Sequence, residues 1–581
     1  MTTSRGLWAA LFALALAAPA CTSTDASRAT DAAPEAAPEV APGTARFESF
    51  RYTGDDDVYK ERVPGPGQFT NPVLAGYYPD PSIEQVGEDY YLVNSSFTHT
   101  PGIPIWHSRD LVHWTQIGHV LTRPSQTPFD GLGISRGIFA PTLRYHDGTY
   151  YLITTWIDSG GNAIVTAKDP AGPWSDPIWL DFGGIDPDFF VDDDGRAYVV
   201  NNDAPIGEPL YQGHRALWIQ ELDLETMEMV GPRELIVNGG VDITEEPVWI
   251  EGPHIYKKDG MYYLVCAEGG TSVNHSVVVF RADNVWGPWE PWDQNPILTQ
   301  RHLDDDARDY PITSVGHADF VQTPDGSWWS VFLGTRPYRG NEYNTNRETY
   351  LLPVDWPEGG WPTLLPVAPD VEVPYVVDRP NLPEDDAPYP TSGNFTITDD
   401  FADGLDIYWT SIRDVERDWL SVRDGAVVLQ ARPVTLSELG KPSFIGRRQQ
   451  HITMSAETVV RFSPQTESER AGLAAVQQDE AYLLLSVGLR GGERVVELES
   501  RFRGEATTVA SAPLPGDGPV RLRVEADGPD YAFSYAVGDG GWQTLAADAD
   551  GSILSTQRAG GFVGVLLGMY ASSAHPAPPL P

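Results

Sequence analysis

One short pattern occurs five times between residues 88 and 330: a tight turn, a pair of bulky residues and an apolar run. In four copies the turn is Asp-Gly, which favours a hairpin between two strands, whereas the first copy has Glu-Asp. The copies lie about 50 to 70 residues apart, without helical patterns between them, at residues 88–93, 147–152, 194–199, 259–264 and 325–330. Regularly spaced hairpins are typical of a β-propeller, so the repeat predicts an all-β domain with five blades.

Each hairpin is preceded by one comparable position, ten or eleven residues before its bulky pair. The residues there are Asp80, Ala140, Asp186, Glu251 and His317. Because the first strand of each blade lines the central channel, these positions should converge on the propeller axis. Three converging carboxylates raise the free energy of a purely structural channel, which favours a functional interpretation. The alternative is that the aspartates cap turns, as in Asp-Pro dipeptides, but the register shared by the blades argues against it.

Carboxylates gathered at one end of a channel suit the hydrolysis of glycosides. One carboxylic acid protonates the leaving oxygen, while a carboxylate acts on the anomeric side. A third carboxylate nearby would raise the pKa of the acid through like-charge repulsion. The 18 Trp and 25 Tyr residues could supply rings on which sugars stack. The formal net charge of −43 excludes nucleic acid as an expected partner, because such a surface repels phosphate.

The N-terminus has the features of an export signal. Residues 1–20 contain a basic start and the apolar run of residues 7–20, which is too short to span a bilayer and predicts a signal peptide. Cys21 follows at the position where a bacterial lipoprotein carries its lipid, although Ala18 replaces the usual Leu. We therefore expect export to the periplasm, the extracellular space or the cell surface of a bacterium. Cys21 leaves both a lipid anchor and simple cleavage open.

Composition divides the remainder of the chain into further segments. Residues 21–60 are interpreted as a flexible tether, because residues 22–45 are rich in Ala, Pro and Thr with no apolar period. The propeller is assigned to residues 61–380, and residues 381–393 form a Pro-rich linker. Residues 394–575 show short alternating runs with Gly- and Asp-rich turns, which predicts a C-terminal β-sandwich.

Several motifs resemble glycoside hydrolase family 43, the β-xylosidases and α-L-arabinofuranosidases. The opening match is Asn-Pro-Val-Leu-Ala-Gly-Tyr-Tyr-Pro-Asp-Pro-Ser at residues 71–82. It continues in order through residues 101–114, 140–148, 184–187, 251–254, 267–271, 316–318 and 336–337. Residues 400–401, 446–451 and 564–570 resemble the accessory domain of the xylosidase branch. The resemblance implies a five-bladed propeller followed by a concanavalin A-like β-sandwich.

The resemblance also implies roles for the three carboxylates. Asp80 would be the general base that activates water, and Glu251 the general acid. Asp186 would orient this acid and tune its pKa. The family inverts the anomeric configuration, which fits a base that acts through water.

Four further residues are expected at the sugar site from the same resemblance. Phe97 and Trp106 would form apolar walls, and Arg336 would bind sugar hydroxyls or restrain a carboxylate. Ordinary packing or a surface ion pair is the alternative for these three. His317 would lie below the sugar, where some members hold a calcium ion or a water cluster, and a structural histidine is the alternative. No cofactor is expected to be required, and the calcium ion in the propeller channel is the one metal considered.

Two residues depart from the family pattern. Phe139 stands where many members have Trp or Tyr, and Asp188 makes the sequence Asp-Pro-Asp where Asp-Pro-Ser is commoner. Strand alternation would return Asp188 to the face of Asp186, so it could perturb the site or point down the channel.

Residues 133–137 contain Gly-x-Ser-x-Gly, the pattern of a serine hydrolase nucleophile. That motif requires a preceding strand and a following helix, whereas Pro-Phe-Asp-Gly precedes this one and a strand is expected after it. We therefore interpret the segment as a Gly-rich loop.

The sequence thus predicts an exported, inverting exo-glycosidase that releases terminal β-1,4-linked D-xylose from xylan or its oligosaccharides. The expected partner is a plant cell-wall oligosaccharide or polysaccharide; no oligomeric state is predicted. An α-L-arabinofuranosidase that debranches arabinoxylan or arabinan is the enzymatic alternative. A non-catalytic glycan-binding surface lipoprotein is the alternative from another class, and it would predict loss of one of the three carboxylates.

Overall fold

The computed structural model describes residues 41–575, and nearly all of the regular structure is β. The predicted signal peptide, Cys21 and the first part of the tether lie outside the described residues. Within residues 41–575, no helix is long and apolar enough to cross a membrane. The short helices are Asp57–Glu61 and Thr556–Ala559, with 3-10 turns at Pro124–Gln126, Ile243–Glu245, Asp305–Ala307 and Gly551–Leu554.

The predicted five-bladed propeller is confirmed. Blade 1 contains Ser82–Val86, Asp89–Val93, Gly102–Ser108 and Thr115–Leu121. Blade 2 contains Thr142–His146, Thr149–Ile157, Gly161–Ala167 and Ile178–Trp179, with Gly137–Ile138 at its edge. Blade 3 contains Ile185–Val191, Ala197–Asp203, Ala216–Asp223 and Glu228–Asn238. Blade 4 contains Glu251–Lys258, Met261–Glu268, Ser276–Ala282, Glu290–Pro291 and Leu298–Thr299. Blade 5 contains Thr313–Gln322, Trp328–Thr335 and Glu348–Val354. Each predicted hairpin joins the first and second strands of one blade.

The first strands of several blades are irregular where they approach the axis. Asp80, Asp186 and His317 have φ values of 51°, 52° and 52°, in the left-handed region that such residues rarely adopt. In blade 3 the strand pairing shifts between Ile185 and Asp188, which is a β-bulge. Strained backbone of this kind costs about 1–3 kcal/mol per residue and clusters at functional sites.

The C-terminal domain is a sandwich of two sheets. The first sheet runs Leu420–Val422, Val427–Gln430, Thr44–Gly54, Thr453–Arg461, Val520–Asp527, Asp530–Val537 and Gln543–Asp550, with Thr396–Asp399 on Thr44–Gly54. The second runs Glu505–Pro513, Glu493–Phe502, Ala481–Arg490, Arg470–Gln478, Leu566–Ser572, Ser443–Arg448, Thr410–Ile412 and His99–Thr100. A two-stranded ribbon of Gln68–Thr70 and Val376–Asp378 lies outside both sheets. The facing apolar residues of the two large sheets form one core, which includes the buried Trp409 and Trp419.

The predicted tether is wrong for residues 44–60. Thr44–Gly54 is a strand inside the first sheet of the sandwich, where it pairs with Thr453–Arg461. Phe47, Phe50 and Tyr52 are buried in the sandwich core. A register shift between Phe47 and Phe50 breaks the alternation of apolar residues, which explains why the sequence pattern hid the strand.

A buried ion-pair cluster joins this N-terminal segment to both domains. Arg336 of the propeller donates two hydrogen bonds to Glu348, at 2.6 and 2.8 Å, and one to Asp56 at 2.6 Å. Arg336 Nη2, one of the two nitrogens bound to Glu348, also donates to the main-chain oxygen of Gln450 in the sandwich, at 2.9 Å. Arg336 is only 1% exposed, so both carboxylates depend on it for compensation of their charge.

Substitution of Arg336 should therefore destabilise the whole protein. We expect Arg336→Met to lower the free energy of unfolding by about 3–5 kcal/mol, because it leaves two buried carboxylates unpaired. Urea denaturation followed by tryptophan fluorescence measures the loss. The matched control is Arg339→Met, since Arg339 is 60% exposed and forms a surface ion pair with Glu342. The control should change stability by less than about 1 kcal/mol, and equal losses in both variants would contradict the argument.

Candidate active site

A pocket of about 330 Å³ lies at one end of the propeller axis. Every blade contributes to its lining, and the C-terminal sandwich contributes Phe562. All five positions that the repeat placed in one register line this pocket, namely Asp80, Ala140, Asp186, Glu251 and His317. The structure thus brings the three carboxylates together in one concave site.

Asp80 is held by two short hydrogen bonds. Arg347 Nη1 donates to Asp80 Oδ1 at 2.6 Å, and Ser95 Oγ donates to Asp80 Oδ2 at 2.6 Å. Arg347 also lines the pocket, and it is 6% exposed. Its charge compensates the charge of Asp80. Arg347 was missed by the sequence reasoning, because it lies just before a third blade strand rather than in the repeated register.

The other two carboxyl groups hold their protons more tightly than usual. Burial raises the pKa of Asp186 to about 7, and the charge of Asp80 adds to this, whereas the Gly252 N–H and Arg347 oppose it. Burial also raises the pKa of Glu251 well above its usual range, with further contributions from the charges of Asp186 and Asp80. The pocket therefore pairs a charge-compensated carboxylate with carboxyl groups that can carry a proton near neutral pH, which suits acid–base chemistry.

His317 lies in the lining as a neutral imidazole. Burial lowers the pKa of His317 to about 4, against the opposing effect of Asp80. Among residues 41–575, no three His, Cys, Asp or Glu side chains are grouped so as to hold a metal ion. Two other buried carboxylates of the first strands, Asp188 and Asp319, are already bound to Arg144. These residues do not offer the six to eight oxygen ligands that calcium prefers.

One wall of the pocket is aromatic and comes from both domains. Phe97 stacks on Phe562 of the sandwich, with ring centroids 6.1 Å apart and an interplanar angle of 11°. Phe139 packs edge-on against both rings, at 5.4 and 5.8 Å. Phe139, which departs from the family pattern, therefore still supplies an aromatic ring to the lining. Phe562 lies 465 residues after Phe97 in the chain, and no local pattern marks it.

The structure places Trp106 and Arg336 away from the pocket, which corrects their predicted contact with sugar. Trp106 is fully buried in the third strand of blade 1, where it packs edge-on against Tyr78 at 5.1 Å. Trp106 is not among the residues that line the pocket. Arg336 instead restrains two carboxylates, Glu348 and Asp56, which was the second of its two predicted roles.

Asp188 points down the channel, into a cluster that receives one residue from each blade. Arg144 of blade 2 binds Asp188 and Asp319, each at 3.0 Å. Ser82 of blade 1 donates to Asp319 at 2.8 Å, and His254 of blade 4 lies 3.1 Å from Asp188. The β-bulge after Ile185 breaks the strand alternation, so Asp186 lines the pocket while Asp188 joins this axial cluster.

Comparison with known proteins agrees with this geometry. Residues 69–362, slightly over half of the chain, match the family model described as "Glycosyl hydrolases family 43". The chain belongs to glycoside hydrolase family 43. Residues 398–578 match the model "Beta xylosidase C-terminal Concanavalin A-like domain". The protein is thus a glycoside hydrolase whose substrate is a carbohydrate, with a concanavalin A-like domain after the propeller.

Relatives of known name match nearly the whole chain. A "Xylosidase/arabinosidase" of Butyrivibrio fibrisolvens is 40% identical, over 87% of this chain and 95% of that protein. A "Non-reducing end alpha-L-arabinofuranosidase" of Bacteroides ovatus is 38% identical, over 87% and 91%. The crystal structure of a family 43 protein retrieved from a capybara gut metagenome is 42% identical, with a TM-score of 0.85 over 92% of this chain and all of that one.

The raised pKa of Asp186 predicts a pH dependence of stability. The folded state retains a proton that the unfolded chain releases between about pH 4 and pH 7, so stability falls as pH rises through this window. Asp186→Asn should remove this decline. The free energy of unfolding of the variant should therefore exceed that of the wild type by an amount that grows with pH, to a few kcal/mol near pH 7. Urea unfolding at a series of pH values measures the difference. The control is Asp293→Asn at an exposed position, and a constant offset for Asp186→Asn would contradict the prediction.

Proposed function

We propose that the protein is an inverting exo-glycosidase that releases a terminal pentose from plant cell-wall oligosaccharides. The observation that carries this proposal is the contrast among the three pocket carboxyl groups. Asp80 is compensated by Arg347, whereas burial and like charge raise the pKa values of Asp186 and Glu251. This contrast supplies one base and one acid in the same pocket.

The three groups take separate roles in the proposed reaction. Asp80 draws a proton from the attacking water, which adds to the anomeric carbon from the face opposite the leaving group. Glu251 donates its proton to the leaving glycosidic oxygen as the bond breaks. Burial raises the pKa of Glu251, and the negative charge of Asp186 adds to this effect, which helps to keep the acid protonated.

The shape of the pocket supports exo action. The stacked rings of Phe97 and Phe562 form a wall from two domains, and the axial cluster fills the channel below the site. A pocket that ends in the channel and has such a wall accommodates one terminal sugar more readily than the middle of a chain.

β-1,4-linked D-xylose is the first candidate for this sugar, because the C-terminal domain matches a β-xylosidase domain model. A terminal α-L-arabinofuranose is the second candidate, favoured by the name of the Bacteroides ovatus relative. The Butyrivibrio fibrisolvens relative bears both names.

Parallel assays of aryl β-D-xylopyranoside and aryl α-L-arabinofuranoside test the function. We expect the xyloside to be hydrolysed faster, with inversion visible in the first sugar detected by NMR. Asp80→Ala should lower kcat on either substrate by at least about a hundredfold, because it removes the base. Preference for the arabinofuranoside would assign the protein to debranching. A folded protein inactive on both would contradict the proposal and favour the glycan-binding alternative.

The role of Glu251 is tested by leaving-group dependence. Glu251→Gln should lower kcat on xylobiose by about 10²–10⁴-fold but largely spare an aryl glycoside with a good leaving group, which needs no protonation. Steady-state kinetics on both substrates measures the ratio. An equal loss on both would argue against Glu251 as the acid.

A further inference from the structure

The Gly-rich loop of residues 133–137 contains a serine that the proposed reaction does not use. Ser135 is 8% exposed, and it lies in a turn followed by the strand Gly137–Ile138 rather than by a helix. It therefore lacks the setting of a hydrolase nucleophile. Its hydroxyl is instead directed at the C-terminal sandwich.

Ser135 Oγ accepts two hydrogen bonds from that domain. The Phe562 N–H donates to it at 2.9 Å, and the side-chain amide of Gln478 donates as well. The fit is close, because a Cβ on Gly561 would lie 2.3 Å from Ser135 Oγ. Gly561 also has a φ of 76°, which favours glycine. The propeller loop thus holds the peptide group between Gly561 and Phe562.

The same residue of the sandwich then contacts the arginine of the active site. Arg347 Nη2 donates to the main-chain oxygen of Phe562 at 3.3 Å, while Arg347 Nη1 donates to Asp80 Oδ1 at 2.6 Å. The guanidinium is planar and rigid, so a displacement of one nitrogen is coupled to a displacement of the other. Ser135, the Phe562 backbone, Arg347 and Asp80 therefore form one continuous hydrogen-bond chain.

We propose that Ser135 is a positioning residue for the catalytic base, acting through the Phe562 backbone and Arg347. The proposal rests on the role given to Asp80 in the proposed function. It makes the C-terminal sandwich part of the catalytic apparatus in two separable ways. The ring of Phe562 forms the pocket wall, and its main chain holds the arginine that orients Asp80.

The two contributions predict different kinetic effects. Ser135→Ala removes the acceptor for the Phe562 N–H and should lower kcat by about tenfold to a hundredfold, with little change in KM, because the base becomes misaligned. The loss should be equal for the aryl glycoside and for the disaccharide, since both need activated water. Phe562→Leu keeps the main-chain bonds but loses the ring, and should mainly raise KM.

Steady-state kinetics with both substrates is the test, and Ser411→Ala is the matched control. Ser411 Oγ is also a buried hydroxyl at a contact between the domains, 3.1 Å from Thr100 Oγ1, but its hydrogen bonds are with Thr100, Asp414 and Arg417 rather than with Phe562 or Arg347. Ser135→Cys keeps an acceptor atom on this side chain and should give an intermediate kcat, since sulfur is a weaker acceptor than oxygen. The proposal is overturned if Ser135→Ala has the kcat of Ser411→Ala, or if only its KM changes.

A crystal structure of Ser135→Ala separates this proposal from the proposed function. Displacement of Arg347 Nη1 from Asp80 Oδ1, or of Arg347 Nη2 from the Phe562 oxygen, supports the hydrogen-bond chain whatever the substrate. Unchanged distances of 2.6 and 3.3 Å would overturn the chain even in an active enzyme. A wild type inactive on both pentosides would instead refute the proposed function alone.

Discussion

Arg347 offsets the electrostatic cost of gathering three carboxyl groups in one pocket. Its ion pair with Asp80 compensates one negative charge, and it also opposes the rise in the pKa values of Asp186 and Glu251. Without this cation, a second ionised carboxylate in the same low-dielectric site would be strongly disfavoured. The difference between Asp80 and the other two groups therefore depends on where a single guanidinium is held.

A cluster of side chains on the propeller axis supports the pocket from the channel side. The axial cluster takes a residue from each of the five blades, and its ion pairs link Arg144 with Asp188 and Asp319. Asp188 and Asp319 lie two residues after Asp186 and His317, whose backbones are in the left-handed region. Strained backbone persists only when surrounding contacts over-determine it, and the ring of blades supplies these contacts.

The sandwich and the propeller are joined by extensive contacts and not only by the linker predicted from the sequence. His99–Thr100 of the propeller extends a sheet of the sandwich, and Arg336 joins both domains to the N-terminal segment. The same interface places Phe562 in the pocket lining. The pocket is therefore assembled from two domains, and its geometry depends on the interface between them.

The sequence by itself determined the five blades and the five axial positions, because hairpin turns and strand register are local properties that repeat along the chain. Motifs in order along residues 71–337 likewise indicated the family that the comparisons showed. Only the tertiary structure decided the contacts between distant segments. In the structure Arg347 and Phe562 line the pocket, whereas Trp106 and Arg336 lie outside it. Residues 44–54, which the sequence assigned to a tether, form a strand of the sandwich core. The physical reason is that these positions are set by packing between elements hundreds of residues apart, which no local pattern encodes.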